Sequence, residues 1–104
     1  MFGNMKEMLK QAQQMKSQMK QVKKELERIE VEGSAANNQC KVIMTGDMKV
    51  TNVKIDETLL SSEAYVIENA IKVATNKALE EAKDVSAKKL KGITGGLTDG
   101  LPGF

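Results

Sequence analysis

The sequence predicts an α+β fold in which a long helix, a three-stranded antiparallel β-meander and a second long helix follow one another along 104 residues. Apolar residues recur at alternating spacings of three and four through the first thirty positions, as in a helix that buries a narrow seam. Apolar and polar residues then alternate between positions 39 and 55, which is typical of β-strands. A second helical periodicity follows, rich in alanine.

The first helix is predicted from about Met5 to Glu30, because no proline or glycine interrupts that run. At ~1.5 Å per residue it is roughly 38 Å long, which is long for so small a domain. Part of its seam should therefore extend beyond the domain and meet a partner helix. The seam consists of Met5, Met8, Ala12, Met15, Met19, Val22, Leu26 and Ile29.

Three strands are expected next: a short one over residues 29–34, a second over 39–45 and a third over 48–55. A polar turn at 36–38 and a turn at Gly46-Asp47 would connect them. In the third strand the apolar residues change parity between Val50 and Val53, which predicts a β-bulge or a twist near Thr51-Asn52.

The last helix is expected to begin with Ser61 or Ser62 as its cap and Glu63 in its first turn, after Leu59-Leu60 as an apolar plug over the sheet. Its apolar face comprises Ile67, Ala70, Ile71, Ala74, Ala78, Ala82 and Val85. Gly92 is the predicted stop. The expected organisation is one domain over residues 1–92 and a flexible, glycine-rich tail over 93–104.

An exposed seam and a bare sheet face together predict a homodimer, since a monomer would leave both uncovered. The side chains expected to form the core or the dimer contact are Met15, Met19, Val22, Leu26, Cys40, Val42, Met44, Val53 and Ile55.

Composition excludes several functions. With no histidine and one cysteine, Cys–His nucleophilic catalysis and the usual zinc sites have no ligands or bases. A single Cys40 forms no internal disulfide, and no apolar run is long enough for a membrane span, so we expect a cytoplasmic protein. Asp56 and Glu57 should point to opposite faces of a strand end, with Asp56 capping the following turn. We therefore expect no enzyme activity, cofactor, metal or small-molecule substrate.

The charge is concentrated at the start of the first helix and the end of the last one. Residues 1–24 contain six lysines and one glutamate, and three more lysines lie at 88, 89 and 91. Basic helix ends suit a polyanion, and scarce aromatics with a single arginine favour the backbone of duplex DNA over single strands or base readout. From charge alone, an ordinary solvated helix face is the preferred interpretation.

Several segments, taken in order, resemble the bacterial YbaB/EbfC family of nucleoid-associated DNA-binding proteins. The similarity covers Met5-Lys6 and 9–15 in the first helix, and then Gly46, Val50, 53–56 and Leu59-Leu60 at the end of the sheet. The tail Gly100-Leu101-Pro102-Gly103-Phe104 is similar too. Glu57 departs from the family, which commonly has proline there.

The resemblance implies a tweezer-like homodimer that binds double-stranded DNA with its long helices and acts in chromosome organisation and gene expression at the nucleoid. It reverses the preference on the lysines, from a solvated face to a DNA contact. The implied DNA-binding residues are Lys6, Lys10, Lys16, Lys20, Lys24, Lys88, Lys89 and Lys91. The alternative is a protein-interaction clamp, such as a small chaperone or adaptor, for which the methionine-rich seam would be suited.

Overall fold

A computed structural model describes the backbone of residues 2–98 and the side chains of residues 4–92. The elements follow the predicted order, with one additional short helix before the last long one. They are α1 Phe2–Arg28, β1 Glu30–Ala35, β2 Cys40–Thr45, β3 Val50–Ile55, α2 Glu57–Leu60 and α3 Ala64–Thr98.

The three strands form the predicted antiparallel meander in the order β1-β2-β3. Gly33 lies opposite Val42 in the first pair, and Val42 lies opposite Val53 in the second. The β2–β3 register shifts between Ile43, which lies opposite Asn52, and Met44, which lies opposite Val50. Thr51 is the extra residue, so the predicted bulge is confirmed, and it keeps Val50 and Val53 on the same face.

The turn after β2 anchors α1 to the sheet. The backbone N–H of Gly46 donates to the carbonyls of Leu26 and Ile29, at 2.9 Å in each case. These two carbonyls lie at and just beyond the end of α1, where no further helical N–H can reach them. A Cβ atom at position 46 would lie 2.9 Å from the Leu26 carbonyl oxygen, so only glycine permits this approach.

The core lies between one face of the sheet and α3, which packs on β1 and β2. Four alanines spaced four apart face the sheet and are fully or nearly buried: Ala70, Ala74, Ala78 and Ala82. Cys40, Val42 and Met44 are buried beneath them, as the alternation predicted. The small side chains let the helix approach the strands closely.

The ends of the last helix differ from the sequence prediction. α3 begins at Ala64, and the carbonyl of Glu63 accepts from Val66 and Ile67, so Glu63 takes the capping position predicted for Ser61 or Ser62. Leu59 is buried as a plug, but its neighbour Leu60 is exposed. Gly92 does not end the helix, which continues through Thr98. The proposed tail falls partly on residues 99–104, which lie outside the described residues.

The two long helices extend from the sheet in the same direction. α1 leads into the sheet and α3 leaves it, and the two pack against each other along their sheet-proximal parts. The molecule measures 70 × 27 × 16 Å, far longer than six-residue strands of ~20 Å would require. Among the described residues, no helix has an apolar stretch sufficient to cross a bilayer.

Candidate nucleic-acid interface

The lysines of α1 lie on one side of the helix. At about 100° per residue, all six fall within an arc of about 140°. Each of the six is exposed: Lys6, Lys10, Lys16, Lys20, Lys23 and Lys24. The arc extends along most of the 27-residue helix. α1 therefore carries a continuous cationic face, here called the lysine face.

The lysine face borders the apolar seam of the same helix. Near the sheet the seam is covered, and Val22 and Leu26 are buried against the rest of the molecule. Further out it opens, since Met15 is half-buried and Met19 is 48% exposed. Beyond the reach of the sheet, Met5 and Met8 are 65% and 68% exposed. The predicted overhang of the seam is therefore present in the monomer.

The three lysines near the end of α3 are not equivalent. Lys88 and Lys91 are exposed. Lys89 instead donates to the Glu25 carboxylate on α1, with 3.2 Å between Nζ and Oε2. This ion pair links α1 to α3 and partly neutralises the charge of Lys89.

The residues predicted for the core or the dimer contact divide into two groups. Val22, Leu26, Cys40, Val42 and Met44 are buried within the single chain. Ile55 is half-buried, and Val53 is exposed although it lies opposite the fully buried Val42. Val50, on the same face of β3, is half exposed. The helix thus covers β1 and β2 but leaves an apolar row on β3.

The acidic residues of the described part of the chain are dispersed rather than clustered. No group of three or more His, Cys, Asp or Glu side chains converges within the described part of the chain. Asp56 precedes α2 and accepts from the N–H groups of Leu59 and Leu60 through its backbone carbonyl. Its side chain makes no capping bond, which corrects that detail of the sequence prediction. Burial raises the pKa of the Cys40 thiol, so this cysteine is a packing residue.

Two residues beside the predicted site residues were not among the sequence predictions. Lys23 lies at the edge of the lysine face, about 20° beyond the arc of the other five lysines, and projecting the sequence onto a helical wheel would have placed it beside them. Glu25 pairs with a residue 64 positions away, so only the packing of α1 on α3 reveals its role. No local signal in the sequence distinguishes it from its neighbour Glu27.

Comparisons with known proteins find one family and one fold. A model of the YbaB/EbfC DNA-binding family matches residues 1–97. Nucleoid-associated proteins of Prochlorococcus marinus strains NATL1A and NATL2A are each 36% identical over 103 residues, which covers 99% of this chain and 90% of each relative. The crystal structure of an uncharacterized protein from Helicobacter pylori has the same fold, with a TM-score of 0.65 and 14% identity over 74% of this chain and 90% of that one.

Proposed function

The chain belongs to the YbaB/EbfC DNA-binding family, and we propose that it binds double-stranded DNA as a homodimer through the lysine face of α1. As a nucleoid-associated protein in the cytoplasm, it would thereby affect chromosome organisation and gene expression. The observation that carries the proposal is the restriction of six exposed lysines to one side of a projecting helix. A continuous row of positive charge is electrostatically complementary to the phosphate backbone of a polyanion.

The composition of the lysine face favours the phosphate backbone as its target. Lysine meets phosphate as a point charge, and the chain has a single arginine, Arg28, to make planar bidentate contacts to guanine. Aromatic residues are 3% of the chain, too few to form stacking platforms for single strands. Duplex DNA with weak sequence preference is the ligand that fits both facts.

A homodimer is supported by the apolar row on β3. Val50 and Val53 continue the buried face of the sheet beyond the edge of α3, and they are 50% and 44% exposed. A second copy packed there would bury apolar surface and bring two lysine faces to one DNA molecule. Since each neutralised phosphate releases counterions, doubling the lysines steepens the salt dependence as well as raising affinity.

The experiment is a salt series of binding to a fluorescent DNA duplex. The wild-type protein is compared with a Lys10→Gln, Lys16→Gln, Lys20→Gln variant. The control variant carries Lys72→Gln, Lys77→Gln and Lys83→Gln, which removes three exposed lysines from the middle of α3 and changes the net charge equally. Circular dichroism confirms that each variant is folded.

We expect the wild type to lose affinity linearly in log–log form as salt rises. The α1 variant should bind more weakly and show a shallower slope, by about 0.9 per lost phosphate contact. The control should keep both affinity and slope close to wild type. If the two variants behaved alike, only net charge would matter and the lysine face would not be the DNA-binding surface.

The alternative function, a protein-interaction clamp, is favoured by one observation. Met5, Met8 and Leu9 present exposed apolar surface at the outer end of α1, each more than 60% exposed. Flexible methionine-rich surfaces adapt to several protein partners. If the folded wild-type protein did not bind DNA even at low salt, the protein-interaction function would be favoured over DNA binding.

A further inference from the structure

A groove runs between α1 and α3 beside the lysine face, with a volume of about 410 Å³. Its floor is apolar and consists of Met19, Val22, Leu26 and Leu90. Its rim is cationic and consists of Lys16, Lys20 and Lys23. An apolar floor beneath a charged rim is the surface that an amphipathic helix with the opposite charge would cover.

We propose that this groove binds an acidic amphipathic helix of another protein, and that this helix competes with DNA for the arm. The competition rests on the proposed function, because all three lysines of the rim belong to the lysine face proposed to bind DNA. The groove itself is independent of that function.

The dimensions of the groove fit a helix. Its α1 side extends from Lys16 to Leu26, which is about 15 Å or roughly three turns. Two helices packed side by side leave a channel that a third helix fills with residues spaced three and four apart. Met19 would provide most of the apolar surface that such a helix could cover, because its side chain is 48% exposed whereas Val22 is 8% exposed.

The charge of the rim selects the occupant. Lys16, Lys20 and Lys23 are spaced four and three apart, so glutamates at the same spacing on a partner helix would each approach one lysine. A second copy of α1 would instead bring lysines against lysines, which is unfavourable. Duplex DNA satisfies the rim but has no apolar surface to cover Met19. An acidic amphipathic helix satisfies both rim and floor.

The test uses the full-length protein and synthetic peptides in fluorescence anisotropy. The first peptide is a designed helix of about three heptads with leucine at the seam positions and glutamate beside them. The second has the same composition in scrambled order, so that it keeps the charge and loses the apolar face. The third carries residues 5–29 of this chain and represents a second copy.

Two methionine variants report on the floor without touching a lysine. Met19→Gln removes the exposed floor residue, and Met48→Gln is its control in the turn before β3, where the side chain is exposed to a similar 44%. We expect the acidic helix to bind the wild type and the control equally, and to bind Met19→Gln about tenfold more weakly. Both variants keep every lysine of the lysine face.

Three results would overturn the groove proposal. They are absent binding of the acidic helix, equal binding of the scrambled peptide or of the 5–29 peptide, and equal binding to Met19→Gln. A ternary complex with DNA would overturn the competition. Binding of the acidic helix by a protein that binds no DNA would support the groove and refute the proposed function, so the two failures are distinguishable.

Discussion

Two glycines show how much a single position matters in this fold. Gly33 lies on β1 directly beneath α3, and a Cβ atom there would lie 2.1 Å from the Ala74 carbonyl oxygen and 2.4 Å from the Ala78 nitrogen. Both are backbone atoms, so the whole helix would have to move. Gly92 lies within α3, where an added Cβ would meet nothing within 4 Å. The same substitution should therefore have opposite effects at the two sites.

Gly33→Ala should lower the free energy of unfolding by about 1–3 kcal/mol, the usual cost of overpacking a core. Gly92→Ala should raise it by up to about 1 kcal/mol, because alanine is the better helix former. Urea denaturation monitored by circular dichroism measures both. Equal stability of Gly33→Ala and wild type would mean that α3 does not approach β1 so closely.

Cys40 should be protected from thiol reagents in the folded protein. Its side chain is fully buried, and burial raises the pKa of the thiol. Because folding favours the neutral thiol, its contribution to stability is complete below the ordinary thiol pKa of about 8.5 and declines as pH rises above that value. Labelling with an aromatic disulfide at pH 8 should be slow in buffer and rapid in urea, with Cys40→Ala as the blank. Rapid labelling in buffer would contradict burial.

At the scale of elements, the sequence predicted what depends on local pattern. The change of parity between Val50 and Val53 located the bulge, because only an extra residue keeps both on one face. It did not predict the end of α3, because a single glycine costs a helix only about 1 kcal/mol, and the roughly eight helical turns over residues 64–91 can outweigh that cost. Nor did it predict that Glu63 would take the capping position, which both serines suited better.

The candidate site divides in the same way. The lysine face is a property of helical spacing and could be predicted from the sequence once the helix was assigned. The division of the lysines near the end of α3 could not, because Lys89 is distinguished from Lys88 and Lys91 only by its contact with Glu25. Such a contact depends on how two helices distant in the chain pack together.

The Glu25–Lys89 pair should restrain DNA binding more than it stabilises the fold. Both side chains are more than 40% exposed, so the pair contributes no more than about 1 kcal/mol to the free energy of unfolding. Glu25→Gln frees the charge of Lys89 and should raise DNA affinity several-fold at low salt. Glu27→Gln, on an exposed position of the same helix, is the control because it removes the same charge. If Glu25→Gln and Glu27→Gln raised the DNA affinity equally, the effect would come from net charge and not from the release of Lys89.

The whole molecule is unevenly covered. α3 packs on β1 and β2, while the face of β3 that carries Val50 and Val53 stays open. The molecule is 70 Å long, and α1 carries the lysine face away from the sheet that bears this open row. A contact between two copies along β3 would therefore leave both lysine faces accessible, which connects assembly to the proposed function.

The final prediction tests that connection. The wild type should sediment as a dimer at micromolar concentration, and Val53→Lys should shift it towards monomer, because a charge would then lie in an apolar contact. Asn52→Lys is the control. Asn52 is the neighbour of Val53 in β3, but its side chain points to the opposite face of the sheet, and the substitution adds the same charge.

If the dimer joins two lysine faces on one DNA molecule, Val53→Lys should bind DNA more weakly and with a shallower salt slope than Asn52→Lys. The added charge alone would raise the DNA affinity of both variants, because each gains one lysine. Weaker binding by Val53→Lys can therefore arise only from the lost second arm. A monomeric wild type would refute the homodimer. A Val53→Lys variant that remains dimeric would instead move the dimer contact away from β3 and leave the exposed seam of α1 as the surface to test.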